Sequence, residues 1–186
     1  MRVRWLTAIT LTVALGLAAA PAIGAAPKTP TPRDEIRAQY DTLAMGFAKQ
    51  DIPLIMSRRA VDISSTLPDG RRQTTEEMTE QLKSYFVLNK PPIKGRYTIQ
   101  ALRMEAPDTA VVTCFQQVDR YQDLAGKRRR VKSDVLQQET WVRTTLGWRL
   151  AAVDSIRDRH RWVDGKPIDP TKPYDPKAPP FTPPKK

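Results

Sequence analysis

The chain has 186 residues with 31 Lys+Arg against 20 Asp+Glu, 17 Pro, one Cys and one His, which is room for one ordinary domain with tails and excludes a multidomain enzyme. One Cys cannot close an internal disulfide, and with one His it cannot fill a zinc shell of about four ligands. Zinc-finger, haem and iron–sulfur chemistry therefore fall away, and neither a metal nor another cofactor is expected.

Arg2 and Arg4 precede the uncharged, mostly apolar stretch from Leu6 to Ala20, and the small-residue segment Pro21-Ala22-Ile23-Gly24-Ala25 follows. That order makes residues 1–25 a secretory signal peptide cleaved after Ala25; the apolar stretch is short of the roughly 20 residues of a retained anchor. Cleavage leaves 29 Lys+Arg against 20 Asp+Glu, a charge of +9, on a periplasmic or extracellular chain. Nucleic acid is not an expected partner there. Residues 26–32 read as a Pro-rich linker and 33–163 as the folded domain. Residues 164–186, with eight Pro, read as a disordered, solvated spacer. Pro167, Pro170, Pro173, Pro176 and Pro179 recur at every third position, which is also the spacing of a polyproline II ligand for a partner's aromatic groove.

Within the domain, Thr31-Pro32-Arg33-Asp34 supplies a cap, a first-turn Pro and a first-turn acid, and Ile36, Tyr40, Leu43 and Phe47 recur at helical spacing. Asp51 caps a short second helix through Met56. Val61-Asp62-Ile63-Ser64 alternates as a strand stopped by the turn Pro68-Asp69-Gly70. Thr74-Thr75-Glu76-Glu77 is a capping box for a third helix with the stripe Met78, Leu82, Tyr85 and Phe86, which must end before Pro91-Pro92. From Tyr97 the period becomes two, giving antiparallel strands over about 97–105, 109–122, 127–144 and 148–160. Three helices followed by a twisted meander is an α+β layout, with the helices packed on one face of a strongly bent antiparallel sheet.

A four-residue loop at Asp123–Gly126 pairs Gln122 with Lys127, and sets Val118 opposite Val131, Gln116 opposite Ser133 and Cys114 opposite Val135. An even-length loop before Trp148 then puts Glu139, Trp141, Trp148, Leu150, Ala152 and Asp154 on the mostly apolar face that meets the helices. The other face is polar with the aliphatic and aromatic exceptions Phe115, Leu136, Val142 and Val153, which predict a homodimer through that face.

The stretches Ile36–Tyr40 through Asp51–Ile55, the Leu67-Pro68-Asp69-Gly70 turn before a helix, and Glu139-Thr140-Trp141-Val142-Arg143 with Gly147-Trp148-Arg149-Leu150 span roughly 130 residues. In this layout the chain resembles the nuclear-transport-factor-2-like superfamily, in particular its SnoaL-like branch with the cystatin-like cone fold. The resemblance implies a deep pocket between bent sheet and helices, frequent dimerisation, and a membership of isomerases, dehydratases, hydrolases and plain binding modules. Ketosteroid-isomerase-like members carry a catalytic Asp near the end of the first strand, where this chain has Ile63-Ser64-Ser65-Thr66; Tyr40 falls where those enzymes have a helix-one tyrosine. Many non-enzymatic relatives end the last strand with His-x-His, at positions corresponding here to Ala152 and Asp154.

Two classes of function follow. As a binding module, the cone holds a small apolar ligand against Tyr40, Gln116, Trp141 and Asp154, or serves as an interaction scaffold. As an isomerase or dehydratase, Glu139 and Asp154 form an acid–base pair on neighbouring strands, one pKa raised by the other. The binding reading is preferred, because the first-strand Asp is missing. Arg128, Arg129 and Arg130 on a hairpin suit an anionic envelope polymer, or form a solvated tip with Asp119 beside Arg130. Cys114 reads as a small buried hydrophobe. His160 has no Ser or Cys that alternation places beside it.

Overall fold

The computed structural model describes residues 29–66 and 70–182; the signal-peptide reading, most of the linker and the Pro68-Asp69 turn lie outside the described residues. Helix α1 (Pro32–Lys49) starts at Thr31, whose side chain and that of Asp34 cap each other's backbone N–H groups, and it buries Ile36, Tyr40 and Leu43. Asp51 caps the short α2 (Ile52–Met56). Helix α3 (Thr75–Leu88) has a reciprocal capping box between Thr74 and Glu77 and buries Met78 and Leu82. No described helix is long and apolar enough to cross a membrane.

The strands are β1 (Arg59–Thr66), β2 (Arg72–Gln73), β3 (Asn89–Ala106), β4 (Thr109–Leu124), β5 (Lys127–Thr144), β6 (Gly147–Val163) and β7 (Lys166–Ile168). They form a mixed sheet in the order β2-β1-β6-β5-β4-β3, with β7 also on β6. The sheet is not wholly antiparallel, because β1 runs parallel to β6. Strand β3 starts at Asn89, well before Tyr97. Its register breaks between Lys90 and Lys94, where Pro91 and Pro92 have no N–H to give the ladder.

Two register expectations are corrected. The β4–β5 hairpin pairs Leu124 with Lys127 and sets Cys114 opposite Gln137, Gln116 opposite Val135 and Val118 opposite Ser133. The loop is two residues, Ala125 and Gly126, both at positive φ (51° and 73°), the conformation of a tight hairpin turn. The faces survive because two and four have the same parity. In β6 the pairing with β5 skips Ala151 and again Asp154, and shifts a third time between Arg157 and His160, and each extra residue inverts the alternation. Val153 therefore sits opposite Glu139 and packs on the core, so it belongs to the inner face and drops out of the predicted dimer surface. Asp154 is expelled to solvent.

The chain also continues past Val163. A turn at Asp164 and Gly165, both at positive φ (49° and 82°), returns it along β6 as β7, with Arg161 opposite Ile168. Beyond β7, the Phe181 N–H donates to the Pro167 carbonyl at 3.1 Å, and the Arg129 guanidinium lies 5.5 Å from the Tyr174 ring centroid. The segment read as a free spacer thus contributes a strand and packs on the domain.

Candidate functional site

The core under the concave sheet face contains an acid. Glu139, 1% exposed, lies on β5 opposite Val112 of β4. One of its oxygens accepts from the Tyr40 hydroxyl of α1 and from Trp141 Nε1 at 2.8 Å, and the other accepts from Gln137 Nε2. Tyr40 stacks on Tyr97, centroids 5.0 Å apart, and meets Trp141 edge-on at 5.1 Å. Burial raises the Glu139 carboxyl above the usual carboxylate range, opposed by these donors and by the charge of Arg59. Burial first, and then Glu139, drive Tyr40 far above an ordinary phenol and push the Cys114 thiol up to about 12. Cys114 is wholly buried and inert in that state.

A cleft of about 780 Å³ opens from this cluster along the sheet. Its floor carries Gln116, Val118, Val135, Gln137, Leu150, Val153 and Ile156, and its helical wall Leu43, Phe47, Met78, Leu82 and Tyr85. Tyr97 and Glu139 line the inner end, where Gln116 Nε2 donates to the Tyr97 hydroxyl at 3.1 Å. Arg59 also lines the cleft; its Nε has no partner among the described residues and its Nη1 meets Met78 Sδ at 3.4 Å. The far end is polar, lined by Arg120, Gln122, Ser133, Arg159, His160 and Arg161 with the acids Asp123 and Asp134, and by Pro170, Pro173 and Tyr174 of the tail.

Of the residues named from sequence, Gln116 lines the cleft. Tyr40 and Trp141 are buried in the core, 2% and 0% exposed, and reach the site by holding Glu139. Asp154 does not join them: it is exposed and accepts from Thr140 Oγ1 at 2.8 Å. The Glu139/Asp154 pair is thereby broken, since the extra residue at Ala151 inverts the alternation before Asp154 and leaves the acids on opposite sides of the sheet. His160 Nδ1 is 2.7 Å from Asp134 Oδ1. Arg128 donates to the Pro91 carbonyl at 2.8 Å, Arg129 pairs with Asp164 at 2.7 Å, and Arg130 Nε donates to Asp119 at 2.9 Å. Among the described residues, no group of three His, Cys, Asp or Glu is placed to hold a metal.

Sequence reasoning missed Tyr97, Arg59, Arg120 and Arg161. Arg120 shares the parity of Cys114, Gln116 and Val118, so alternation could have found it. Arg161 could not be found that way, because the β6 register shifts precede it.

No family model matches the sequence, and no curated protein matches it significantly. Solved structures do. A candidate dehydratase of the NTF2-like family from Streptomyces avermitilis aligns over 67% of this chain and 96% of its own, at 16% identity and a TM-score of 0.50. The chain has the nuclear-transport-factor-2-like fold. A hexachlorocyclohexane dehydrochlorinase (LinA type 2) shares this NTF2-like architecture over 78% of this chain and 95% of its own, at 11% identity and a TM-score of 0.56. So does a candidate scytalone dehydratase from Novosphingobium aromaticivorans, over 67% and 83%, at 7% identity and a TM-score of 0.56. At such identities the likeness is one of fold, and the NTF2-like scaffold carries no chemistry with it.

Proposed function

We propose that the protein is an exported binding module that takes a small, mostly apolar molecule into the cleft. The observation that carries this reading is the state of Glu139. Three donors from Tyr40, Trp141 and Gln137 occupy its two oxygens, and its predicted partner Asp154 is exposed on the other side of the sheet. A carboxyl engaged in that way is a structural anchor, with no second acid beside it to exchange protons. The cleft itself has the make-up of a ligand site: about 780 Å³, an apolar floor and a few convergent polar groups, within the usual range of about 300–1,000 Å³.

Val135→Trp fills the floor and tests the reading. Wild-type protein is expected to bind the neutral fluorescent probe N-phenyl-1-naphthylamine, and the variant about tenfold more weakly, because roughly 1.4 kcal/mol of buried apolar contact is displaced. Thermal unfolding followed by circular dichroism checks that the variant is folded. Equal affinity in the two proteins would place the probe elsewhere and sink the cleft as the site.

The reading includes a homodimer through the outer sheet face, where Phe115, Leu136 and Val142 are half-buried on the single chain. Sedimentation equilibrium at tens of micromolar is expected to give a dimer that Phe115→Arg converts to monomer, as a charge set into an apolar contact should. A wild-type monomer at that concentration overturns it.

A further inference from the structure

At the far end of the cleft the Arg120 and Arg161 guanidinium groups, beside an exposed Arg159, have no acid bonded to them among the described residues. Arg120, 8% exposed, donates from Nε to Asn89 Oδ1 at 2.6 Å and from Nη1 to Ser133 Oγ at 2.7 Å. Arg161 donates from Nη2 to Gln122 Oε1 at 2.8 Å, and its buried Nε has no partner among the described residues. Gln122 in turn donates to Asn89 Oδ1 at 2.7 Å. Both arginines are thus positioned by neutral groups, an amide or a hydroxyl. The neighbouring carboxylates are engaged elsewhere or stand apart: Asp119 with Arg130, Asp134 with His160, and Asp123 exposed at the rim.

Charge taken out of water calls for a counter-charge. Here burial disfavours both charged groups, opposed at Arg120 by Tyr85 and the charge of Asp119, and Arg120 disfavours Arg161 further. A guanidinium presents planar, paired donors that match a carboxylate, sulfonate or phosphate. Beside the pair the cleft wall turns apolar at Val118, Val135, Leu82 and Ile156.

We infer that Arg120 and Arg161 form an anion-binding subsite of the cleft, whose ligand is an amphipathic acid with a carboxylate, sulfonate or phosphate head on an apolar body. This rests on the ligand-binding reading above and narrows it to a chemical class. The apolar body lies along the floor toward Tyr97 and Gln116, and the head meets the arginines at the mouth.

Two fluorescent probes with similar aromatic bodies test it, the anionic 1-anilinonaphthalene-8-sulfonate and the neutral N-phenyl-1-naphthylamine. Wild-type protein is expected to bind the sulfonate about tenfold more tightly than the neutral probe, the scale of one charge-assisted contact. Arg120→Gln and Arg161→Gln should each erase most of that preference while changing the neutral probe's affinity less than about twofold. Binding of the neutral probe reports an intact cleft, and Arg161→Gln, at a half-buried position, keeps the test open if Arg120→Gln does not fold. Millimolar inorganic phosphate should leave most of the sulfonate bound, since it brings no apolar body; complete displacement would make a free anion the ligand and overturn the amphipathic assignment. A preference unchanged in both variants removes the subsite and leaves the cleft reading standing. Failure of wild-type protein to bind either probe removes the cleft reading and the subsite with it.

Discussion

Glu139→Ala is expected to destabilise the protein by about 3–5 kcal/mol, whereas Glu139→Gln should cost about 1 kcal/mol or less. Alanine strands the Tyr40 hydroxyl, Trp141 Nε1 and Gln137 Nε2 and leaves a void beside two aromatic rings. Glutamine keeps an oxygen for Tyr40 and Trp141, and its amide can donate to Gln137 once the Gln137 amide turns over. The same pair of variants reads out a pH dependence. Burial raises the Glu139 carboxyl in the folded state, so the folded chain holds that proton more tightly than the unfolded one. The stability it contributes is full at low pH and is lost as the pH climbs from the unfolded value of about 4.3 through the raised folded value. Urea denaturation across that range should show the wild type losing stability relative to Glu139→Gln. Parallel curves for the two proteins would mean that Glu139 titrates like an exposed acid.

Trp148→Ala should be of similar size, about 3–5 kcal/mol. Trp148 is 1% exposed, and its Nε1 donates to Glu35 Oε2 at 2.8 Å. Arg143 stacks on the ring at 4.9 Å and bonds the same carboxylate. One side chain thus fixes the first turn of α1 to the β5–β6 hairpin, on which the orientation of Tyr40 over Glu139 depends. Trp148→Phe keeps most of the packing and loses the hydrogen bond, for about 0.5–1.5 kcal/mol. Circular dichroism in urea separates the two, and an alanine variant within about 1 kcal/mol of wild type would contradict the role of Trp148 in fixing α1 to the hairpin.

The helices were legible because each carries its own punctuation. Thr31, Asp51 and Thr74 cap the three helices, as their local sequence predicts, since capping is settled within four residues of chain. The inner placement of Cys114, Gln116, Glu139 and Trp141 was legible for a similar reason, as alternation along β4 and β5 is unbroken and both hairpin loops are even. Strand β6 defeats the method. Its extra residues at Ala151, at Asp154 and between Arg157 and His160 leave no mark in a pattern of apolar and polar side chains. An acid assigned to the core consequently lies in solvent, and Val153, assigned to the outside, lies in the core. Composition misleads about the tail: Pro-rich sequence lacks the apolar area to fold alone, yet here it borrows an edge of β6.

The docked tail has an entropic consequence. A proline is already confined near one φ value before folding, so ordering it surrenders less backbone freedom than ordering an ordinary residue, a difference of about 0.4–1 kcal/mol per position. Pro170 and Pro173, which flank the cleft beside Tyr174, can therefore be held in place by few contacts: one three-residue strand, one ring stacked under Arg129 and one hydrogen bond at Phe181. The scarcity of aliphatic side chains that suggests a bare spacer matters less when the chain has little motion to give up. The rim of the cleft is built from the part of the sequence that is cheapest to immobilise.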